Sequence, residues 1–338
     1  MPVSEKPAIA ITMGDPCGIG PEVVVKALAD PSVYATCRPL VVGNIYAMQR
    51  AVELTGIPLR INAPDDPAAA GQDSGMVDVL DINNLNPEDI TVGEISPTCG
   101  KAAMEWVTKA GELALAGVVD GMATAPLNKE AASLAGYESI GHSELLQELA
   151  GVKTVATMLL AKNLRVVHLT THRSLRLACD YVKKDRILEF LQLTHDNFVT
   201  WGFKNPRIGA AALNPHNSDG GLLGSEEAEE IAPAVEAARQ RGIDVTGPVP
   251  ADIIFHQAIQ GKYDAVLCMF HDQGHIPVKV YGFEESITAN LGLPFVRTSV
   301  DHGTAFDIAG KGIADAFSML ESIRLAVGLA KGNGLADF

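Results

Sequence analysis

Three features are scarce in this chain of 338 residues, and each scarcity excludes a class of protein. The 5 cysteines are scattered without Cys-x-x-Cys spacing, which excludes a disulfide framework and favours free thiols in a reducing cytoplasm. The 26 Lys and Arg face 41 Asp and Glu, and the resulting net charge of −15 excludes nucleic acid and anionic membranes as partners. No apolar run is long enough to span a bilayer, and the N-terminus does not predict a signal peptide.

Apolar residues (47%) and glycine (32 residues) are abundant by contrast, which predicts a globular protein of about two domains. Short β-branched runs alternate with longer segments of helical periodicity, and this alternation predicts an α/β fold with parallel strands. Strands are expected at residues 8–13, 39–43, 121–124, 165–170, 207–212 and 265–270. Helices are expected at residues 21–29, 100–116, 143–150, 184–201 and 225–241, and loops with at most one short strand at residues 62–97.

The segment GDPCGIGPE, residues 14–22, follows the first predicted strand. Its glycines permit a tight turn, Pro21 suits the first position of a helix, and Glu22 suits the positive helix N-terminus. The spacing is not G-x-G-x-x-G, so the segment favours a structural turn beside an active site over a dinucleotide-binding loop.

Four of the 9 histidines stand at or just after the ends of predicted strands, namely His172, His216, His271 and His275. The carboxyl ends of strands in α/β sheets are where ligands bind. Neutral imidazoles around an open position suit a divalent metal such as zinc, whereas a single loop histidine is explained as well by solvation or a hydrogen bond. His168 lies inside its strand, where a core or supporting role is expected.

Two further patterns predict an anion site. In the segment GHSE, residues 141–144, Ser143 can cap a predicted helix whose N–H groups face an anion. Lys279 and Arg297 are isolated cations within the apolar segments HIPVKV and LPFVRTS. Such cations either extend toward solvent or bind a buried anion, and the spacing favours the anion.

Motifs along nearly the whole chain resemble the 4-hydroxythreonine-4-phosphate dehydrogenases of pyridoxal phosphate synthesis. The matching segments are ITMGDPCGIGPE, TAPLNKEA, GHSE, TTH, LNPHNSDGG, MFHDQG and LGLPFVRTSVDHGTAFDIAG. The resemblance implies an isocitrate/isopropylmalate dehydrogenase-like fold, with two α/β/α domains and the active site in the cleft between them. We expect residues 1–130 with 300–338 to form the first domain and residues 131–299 the second. The resemblance also implies a homodimer whose subunits share the active site.

The resemblance assigns roles to individual residues. It implies that His172, His216 and His271 bind one divalent metal (Zn, Mg, Mn or Co), with one of them, which we expect to be His271, coming from the neighbouring subunit. It implies that substrate is bound by four residues that follow the family's pattern: His142, Ser143, Lys279 and Arg297. We also expect Thr288 to bind substrate and Lys279 to be catalytic. Asp272 is expected to orient the third metal ligand or to transfer a proton. The residues that bind NAD or NADP, and the role of His275, are left open.

The expected reaction is oxidation of a secondary alcohol to a 3-keto acid that decarboxylates, with NAD or NADP taking the hydride. Thr288 replaces the family's usual Asn, and NPHNSDGG replaces NPHAGEGG, so that the carboxylate is that of Asp219. Both departures concern the substrate more than the reaction. A 4-phospho-D-threonate or D-erythronate dehydrogenase of sugar-acid catabolism is therefore an alternative, as is, less strongly, a dihydrodiol dicarboxylate dehydrogenase. A non-catalytic metal-dependent sugar-phosphate binding protein is the alternative from another class.

Overall fold

The computed structural model describes residues 6–138 and 141–333 and contains a predominantly parallel α/β arrangement. Within these residues the strands are β1 (Ala8–Thr12), β2 (Arg38–Val42), β3 (Arg60–Asn62), β4 (Met76–Leu80), β5 (Gly121–Thr124), β6 (Ala156–Ala161), β7 (Leu164–His168), β8 (Ile208–Ala211), β9 (Val245–Val249), β10 (Ala265–Cys268), β11 (Ile287–Leu291) and β12 (Val296–Val300). The six predicted strands are all present, and the end of each lies within two residues of its predicted position.

The helices in the described residues cover the segments between strands. They are α1 (Gly20–Leu28), α2 (Pro31–Thr36), α3 (Ile45–Thr55), α4 (Pro97–Leu115), α5 (Lys129–Leu134), α6 (His142–Ala150), α7 (Leu175–Asp180), α8 (Lys184–Thr200), α9 (Ala232–Gln240), α10 (Ala251–Ile259), α11 (His271–Tyr281) and α12 (Phe317–Ala330). The predicted helix at residues 225–241 begins instead as a π-helical turn, Glu227–Ile231, before α9. No helix in this part of the chain has the length and apolar composition of a membrane span.

The chain divides into two compact units. The first unit comprises the described residues up to Thr154 together with Leu293–Lys331, and the second comprises Val155–Gly292 together with residues 332 and 333. These limits differ from the expected boundaries at residues 130 and 300. As a result His142, Ser143 and Arg297, which were expected in the second domain, belong to the first unit.

The first unit is built on parallel strands in the order β3-β4-β2-β1-β5-β12. β1 reads AIAIT and is buried along its whole length, as expected of a parallel strand covered on both faces. Helix α4 packs fully buried Trp106 into this core, and Ser96 caps its first turn by accepting a hydrogen bond from the N–H of Cys99 (3.3 Å).

The second unit has the strand order β11-β6-β7-β10-β8-β9. The strands β7, β10, β8 and β9 are parallel, but β6 is antiparallel to both of its neighbours. The six strands that the sequence predicted, β1, β2, β5, β7, β8 and β10, pair with one another in parallel, and the antiparallel pairs of this unit both involve β6, which was not predicted. Residues 162 and 163 connect β6 to β7, and so short a connection allows only an antiparallel pair.

Candidate functional site

The loop after β1 is a structural turn. The N–H of Asp15 donates to the carbonyl of Pro126 (2.9 Å), and a Cβ on Gly14 would meet that carbonyl oxygen, so the two backbones approach closely. The N–H of Cys17 donates to the buried carboxylate of Asp15 (2.8 Å). Burial raises the pKa of Asp15 to about 6, although these hydrogen bonds to Cys17 oppose the rise. The dinucleotide-loop interpretation finds no support in this geometry.

A buried arginine marks the candidate anion site of the first unit. Arg297 lies on β12 opposite Met122 of β5, and it is only 4% exposed. Its Nη2 donates to Thr124 Oγ1 (2.7 Å) at the end of β5. Burial lowers the pKa of Arg297 to about 9, while the charge of Glu144 acts in the opposite direction. A guanidinium in such a place is costly unless an anion compensates it.

Helix α6 brings the second part of this site. It begins at His142 after the N-cap residue Gly141, and no side chain makes a capping hydrogen bond, so the prediction that Ser143 caps the helix is wrong. Burial lowers the pKa of His142 well below its usual value, and the charge of Arg297 adds to this effect, whereas a hydrogen bond to the backbone of Ala125 opposes it. The Nε2 atom of His142 is buried and has no hydrogen-bond partner within the described residues. The Nε2 atom of His142 is therefore available to hydrogen-bond a ligand.

The second unit contains a histidine cluster at the carboxyl ends of β7 and β10. His172 follows β7, and His271 opens α11 directly after β10; their ring centroids are 5.8 Å apart. The Nδ1 atom of His271 lies 2.7 Å from Asp272 Oδ1. Because a carboxylate only accepts, Nδ1 carries the proton and Nε2 keeps a lone pair for a ligand. The predicted orienting role of Asp272 is thus consistent with this contact.

His216 lies on a strained segment after β8. His216, Asn217, Ser218 and Asp219 all have positive φ, between 45° and 63°. Consecutive non-glycine residues in this region cost roughly 1–2 kcal/mol each, and such strain concentrates at functional sites. The buried carboxylate of Glu227 stabilises the approach to this segment, because it accepts from the N–H groups of residues 213 and 214 (2.8 and 2.7 Å).

The His216 side chain is 68% exposed, and its Nδ1 lies 3.2 Å from Asp219 Oδ2. No group of three His, Cys, Asp or Glu in the described residues could hold a metal ion. One chain therefore unites two of the predicted ligands, His172 and His271, but does not complete a three-ligand centre. The residues of a single chain do not fit the metal, and the three-histidine site stays a prediction.

Lys279 and Thr288 lie in the same unit. Lys279, in the last turn of α11, donates to Ser286 Oγ (2.8 Å), and its ammonium group lies 4.7 Å from the ring centroid of Phe283. Thr288 lies on β11 opposite Leu159 of β6. The structure thus divides the predicted substrate residues: the first unit holds His142, Ser143 and Arg297, and the second holds Lys279 and Thr288.

The sequence did not single out several contacting residues. Thr124 was visible only as the end of a predicted strand, and Glu144 only as an acidic residue in a first helical turn. His168 was expected in a core or supporting role, and it is buried. His275 had no role, but its ring stacks on that of His271 with centroids 3.6 Å apart. A helical spacing of four residues between the two histidines was the available signal.

The geometry defines an α/β protein with a buried arginine on a parallel strand of one unit and a histidine cluster in the other, and comparison with known proteins identifies the class more closely. The family model described as pyridoxal phosphate biosynthetic protein PdxA matches residues 35–326. A D-threonate 4-phosphate dehydrogenase from Cupriavidus necator is 47% identical over 325 residues, which cover 96% of this chain and 97% of that protein. A 4-hydroxythreonine-4-phosphate dehydrogenase from Geobacter metallireducens is 46% identical over 329 residues, covering 97% of both chains.

Solved structures agree with this assignment. The crystal structure of a 4-hydroxythreonine-4-phosphate dehydrogenase from Burkholderia phymatum is 45% identical, with a TM-score of 0.87, and the match covers 96% of this chain and 99% of that chain. The protein is an α/β oxidoreductase, a dehydrogenase acting on a CH–OH group. It belongs to the PdxA family. The resemblance stated from the motifs and the α/β fold class are confirmed.

Proposed function

We propose that the protein oxidises the secondary alcohol of a 4-phosphorylated 3-hydroxy acid, with NAD or NADP as the hydride acceptor. The substrate of the main proposal is 4-phosphohydroxy-L-threonine. The observation that carries the proposal is the buried Arg297, whose pKa is lowered by burial and raised by the charge of Glu144. A guanidinium binds a phosphate ester with directed, charge-assisted hydrogen bonds.

His142 adds a proton-linked contact to the phosphate. Its hydrogen bond to the Ala125 backbone favours the protonated ring and must use Nδ1, because Nε2 has no partner. In the neutral ring Nε2 is therefore an acceptor, and it becomes a donor only when the ring takes up a proton. A phosphate dianion beside Arg297 would raise the pKa of His142, so we expect phosphate binding to take up a proton.

His271, Asp272 and Lys279 are the residues that we propose to act on the reacting carbon. In the reaction the C–H bond breaks, the hydride passes to the nicotinamide ring and the hydroxyl proton is released. Asp272 fixes the tautomer of His271, which leaves His271 Nε2 to accept a hydrogen bond or to ligate a metal. Lys279 supplies positive charge for a carboxylate or for the developing alkoxide. A divalent metal held by the predicted histidines would lower the pKa of the substrate hydroxyl.

We propose a homodimer in which a second copy completes this site. Ile276, Val280 and Phe283 stand at i, i+4 and i+7 along α11 and its end, and they are 58%, 83% and 71% exposed. This apolar stripe, Ile276–Val280–Phe283, lies beside the functional residues His271 and Lys279. A second copy of the chain would remove the stripe from water and bring its own residues to the cluster. The metal ligand expected to cross between subunits is His271, and His216, whose side chain is 68% exposed, is the alternative.

Heterodimers test this sharing. Each pair among His172→Ala, His216→Ala and His271→Ala chains is mixed under conditions in which exchange of differently tagged subunits is demonstrated. If His216 crosses, one intact site forms in the mixtures that contain His216→Ala, whereas the mixture of His172→Ala with His271→Ala stays inactive. If His271 crosses, activity returns instead in two mixtures: His172→Ala with His271→Ala, and His216→Ala with His271→Ala. An absence of rescue in all three mixtures contradicts the shared site.

The second candidate function is oxidation of 4-phospho-D-threonate or 4-phospho-D-erythronate in sugar-acid catabolism. Relatives of both names are similar to this chain to nearly the same degree, 47% and 46%. The two substrate types differ at C2, where one has an amino group and the other a hydroxyl. Steady-state oxidation of both, with NAD and with NADP, distinguishes the candidates. A dihydrodiol dicarboxylate has no phosphate for the buried Arg297, which disfavours that alternative.

The proposed location is the cytoplasm. All five cysteines are free thiols, and four of them are buried. Free cysteines are typical of reducing compartments. Immunolocalisation or cell fractionation in the native host tests this, and recovery from an extracytoplasmic fraction would contradict it.

A further inference from the structure

Three imidazole rings of the second unit are in mutual contact. His271 and His275 stack with ring centroids 3.6 Å apart and planes 13° from parallel. The ring of His168, on β7, lies 4.6 Å from that of His275, and His275 Nδ1 lies 3.0 Å from His168 Nε2. The rings thus form a row that runs from a buried strand to the first residue of α11.

Backbone carbonyls fix the proton positions in this row. His168 Nδ1 lies 3.3 Å from the carbonyl oxygen of Thr157, and His275 Nδ1 lies 3.3 Å from that of His271. Since a carbonyl only accepts, both Nδ1 atoms carry protons. His168 Nε2 is then the acceptor for His275 Nδ1–H. Burial keeps His168 neutral, because it lowers the pKa of that ring to about 3.

A glycine makes this row possible. Gly274 lies inside α11, and a Cβ there would meet His168 Nε2 at 2.5 Å and Cys268 Sγ at 2.6 Å. The absence of a side chain lets α11 lie directly on β7 and β10. His275 is thereby held at hydrogen-bond distance from His168, and its ring plane is set by a buried partner rather than by solvent.

We propose that His275 is a positioning residue for His271: it holds the His271 ring by face-to-face contact, and His168 holds His275. The need for such support follows from the surroundings of His271. Its hydrogen-bond partner Asp272 has a side chain that is 70% exposed, so water competes for that hydrogen bond. This inference rests on the proposed function only in taking His271 as a participant in the reaction.

The first test uses the protein without substrate. In protein labelled with ¹⁵N-histidine, the His271 ring is expected to show a single tautomer protonated at Nδ1 in the wild type. In His275→Ala the His271 ring is no longer held against the stacked ring, so it should leave the hydrogen bond to Asp272 more often and show averaged tautomers. His275→Phe, which keeps an aromatic face, should preserve the wild-type signal. His256→Ala, an exposed histidine of α10, is the matched control and should change nothing at His271. An unchanged His271 signal in folded His275→Ala overturns the proposal.

The second test is kinetic. Loss of a supporting contact to a functional histidine typically costs 10- to 100-fold in activity, so we expect kcat to fall by about that factor in His275→Ala. His275→Phe should regain most of the loss. If His168 acts through His275, the double variant with His168→Ala should be no worse than His275→Ala alone. If the losses in kcat of the two single variants add in the double variant, His168 does not act through His275. If the His271 signal changes but kcat does not, His275 does position His271, and His271 does not take part in the reaction as proposed.

Discussion

Replacing Arg297 by methionine tests two effects of the buried charge separately: its cost to the stability of the ligand-free protein and its contribution to phosphate binding. The pKa of Arg297 is lowered by burial from 12.5 to about 9, a difference of 3.5 units. At about 1.36 kcal/mol per unit, the charged form costs on the order of 5 kcal/mol in the protein without ligand. The native state binds fewer protons than the unfolded state between about pH 9 and 12.5, so this cost is fully present below pH 9. Methionine removes the charge at similar volume.

The loss of the hydrogen bond to Thr124 offsets part of this gain. Arg297 donates to Thr124 Oγ1, and this bond is worth about 0.5–1.5 kcal/mol. Thr124 keeps a second contact, to the carbonyl of Thr298 (3.3 Å), so its hydroxyl is not left without a partner. We therefore expect Arg297→Met to raise the free energy of unfolding of the ligand-free first unit by about 2 kcal/mol or more.

The assay uses the fluorescence of Trp106, which is fully buried in the first unit. The second of the two tryptophans, Trp201, is replaced by phenylalanine in every sample, so that the signal reports on one unit. Denaturation is measured with and without inorganic phosphate. At a concentration about 100-fold above Kd, phosphate should stabilise the wild-type protein by about 2.7 kcal/mol and Arg297→Met not at all. Arg60→Met, an exposed arginine, is the control and should behave as wild type. A less stable Arg297→Met that still responds to phosphate would refute the reasoning.

Further predictions concern Asp15, Val280 and Gly274. The native state keeps the Asp15 proton up to about pH 6, whereas the unfolded chain loses it near pH 3.8, so wild-type stability falls by about 3 kcal/mol as pH rises through this window. Asp15→Asn should not show this fall in denaturation experiments, and a difference from wild type that stays constant across the window would contradict the prediction. Val280→Glu should dissociate the proposed dimer, measured by light scattering, and activity should fall to the same extent as the dimer is lost. Leu134→Glu, an exposed position of the first unit, is the control and should do neither. A Val280→Glu protein that remains an active dimer would contradict the proposal that Ile276–Val280–Phe283 forms the interface. Gly274→Ala should cost about 1–3 kcal/mol and disturb the His271 NMR signal, and an unaffected variant would show that α11 can move away.

Much of the fold was predictable because the buried parallel strands carry their own signal. β1 and β5 are short apolar runs bounded by turn residues, and their positions were predicted closely. β6 was not predicted as a strand: its run ATMLLA is uniformly apolar, and periodicity does not separate such a run from a buried helical segment. The antiparallel pairing of β6 with β7 follows from their two-residue connection. That connection can be recognised only once β6 has been assigned as a strand.

The sequence was sufficient to select single site residues, such as Arg297 and His271, from their chemical type and their position in the pattern. It was not sufficient to predict which residues contact one another. The contact of Arg297 with Thr124 depends on the register of β12 against β5, and the row of His168, His275 and His271 depends on the absence of a side chain at Gly274. The capping role expected for Ser143 was wrong, because α6 begins one residue earlier and leaves that hydroxyl inside the first turn.

We propose that this PdxA-family dehydrogenase oxidises a 4-phosphorylated hydroxy acid whose phosphate is bound by the buried Arg297. The most direct measurement follows NADH or NADPH formation from 4-phosphohydroxy-L-threonine, 4-phospho-D-threonate, 4-phospho-D-erythronate and their unphosphorylated counterparts, with wild type and Arg297→Met. We predict oxidation of at least one phosphorylated acid, little turnover of its unphosphorylated form, and a large loss in kcat/KM for the phosphorylated acid alone in the variant. Equal use of both forms by the wild type, or full activity of Arg297→Met, would contradict the account.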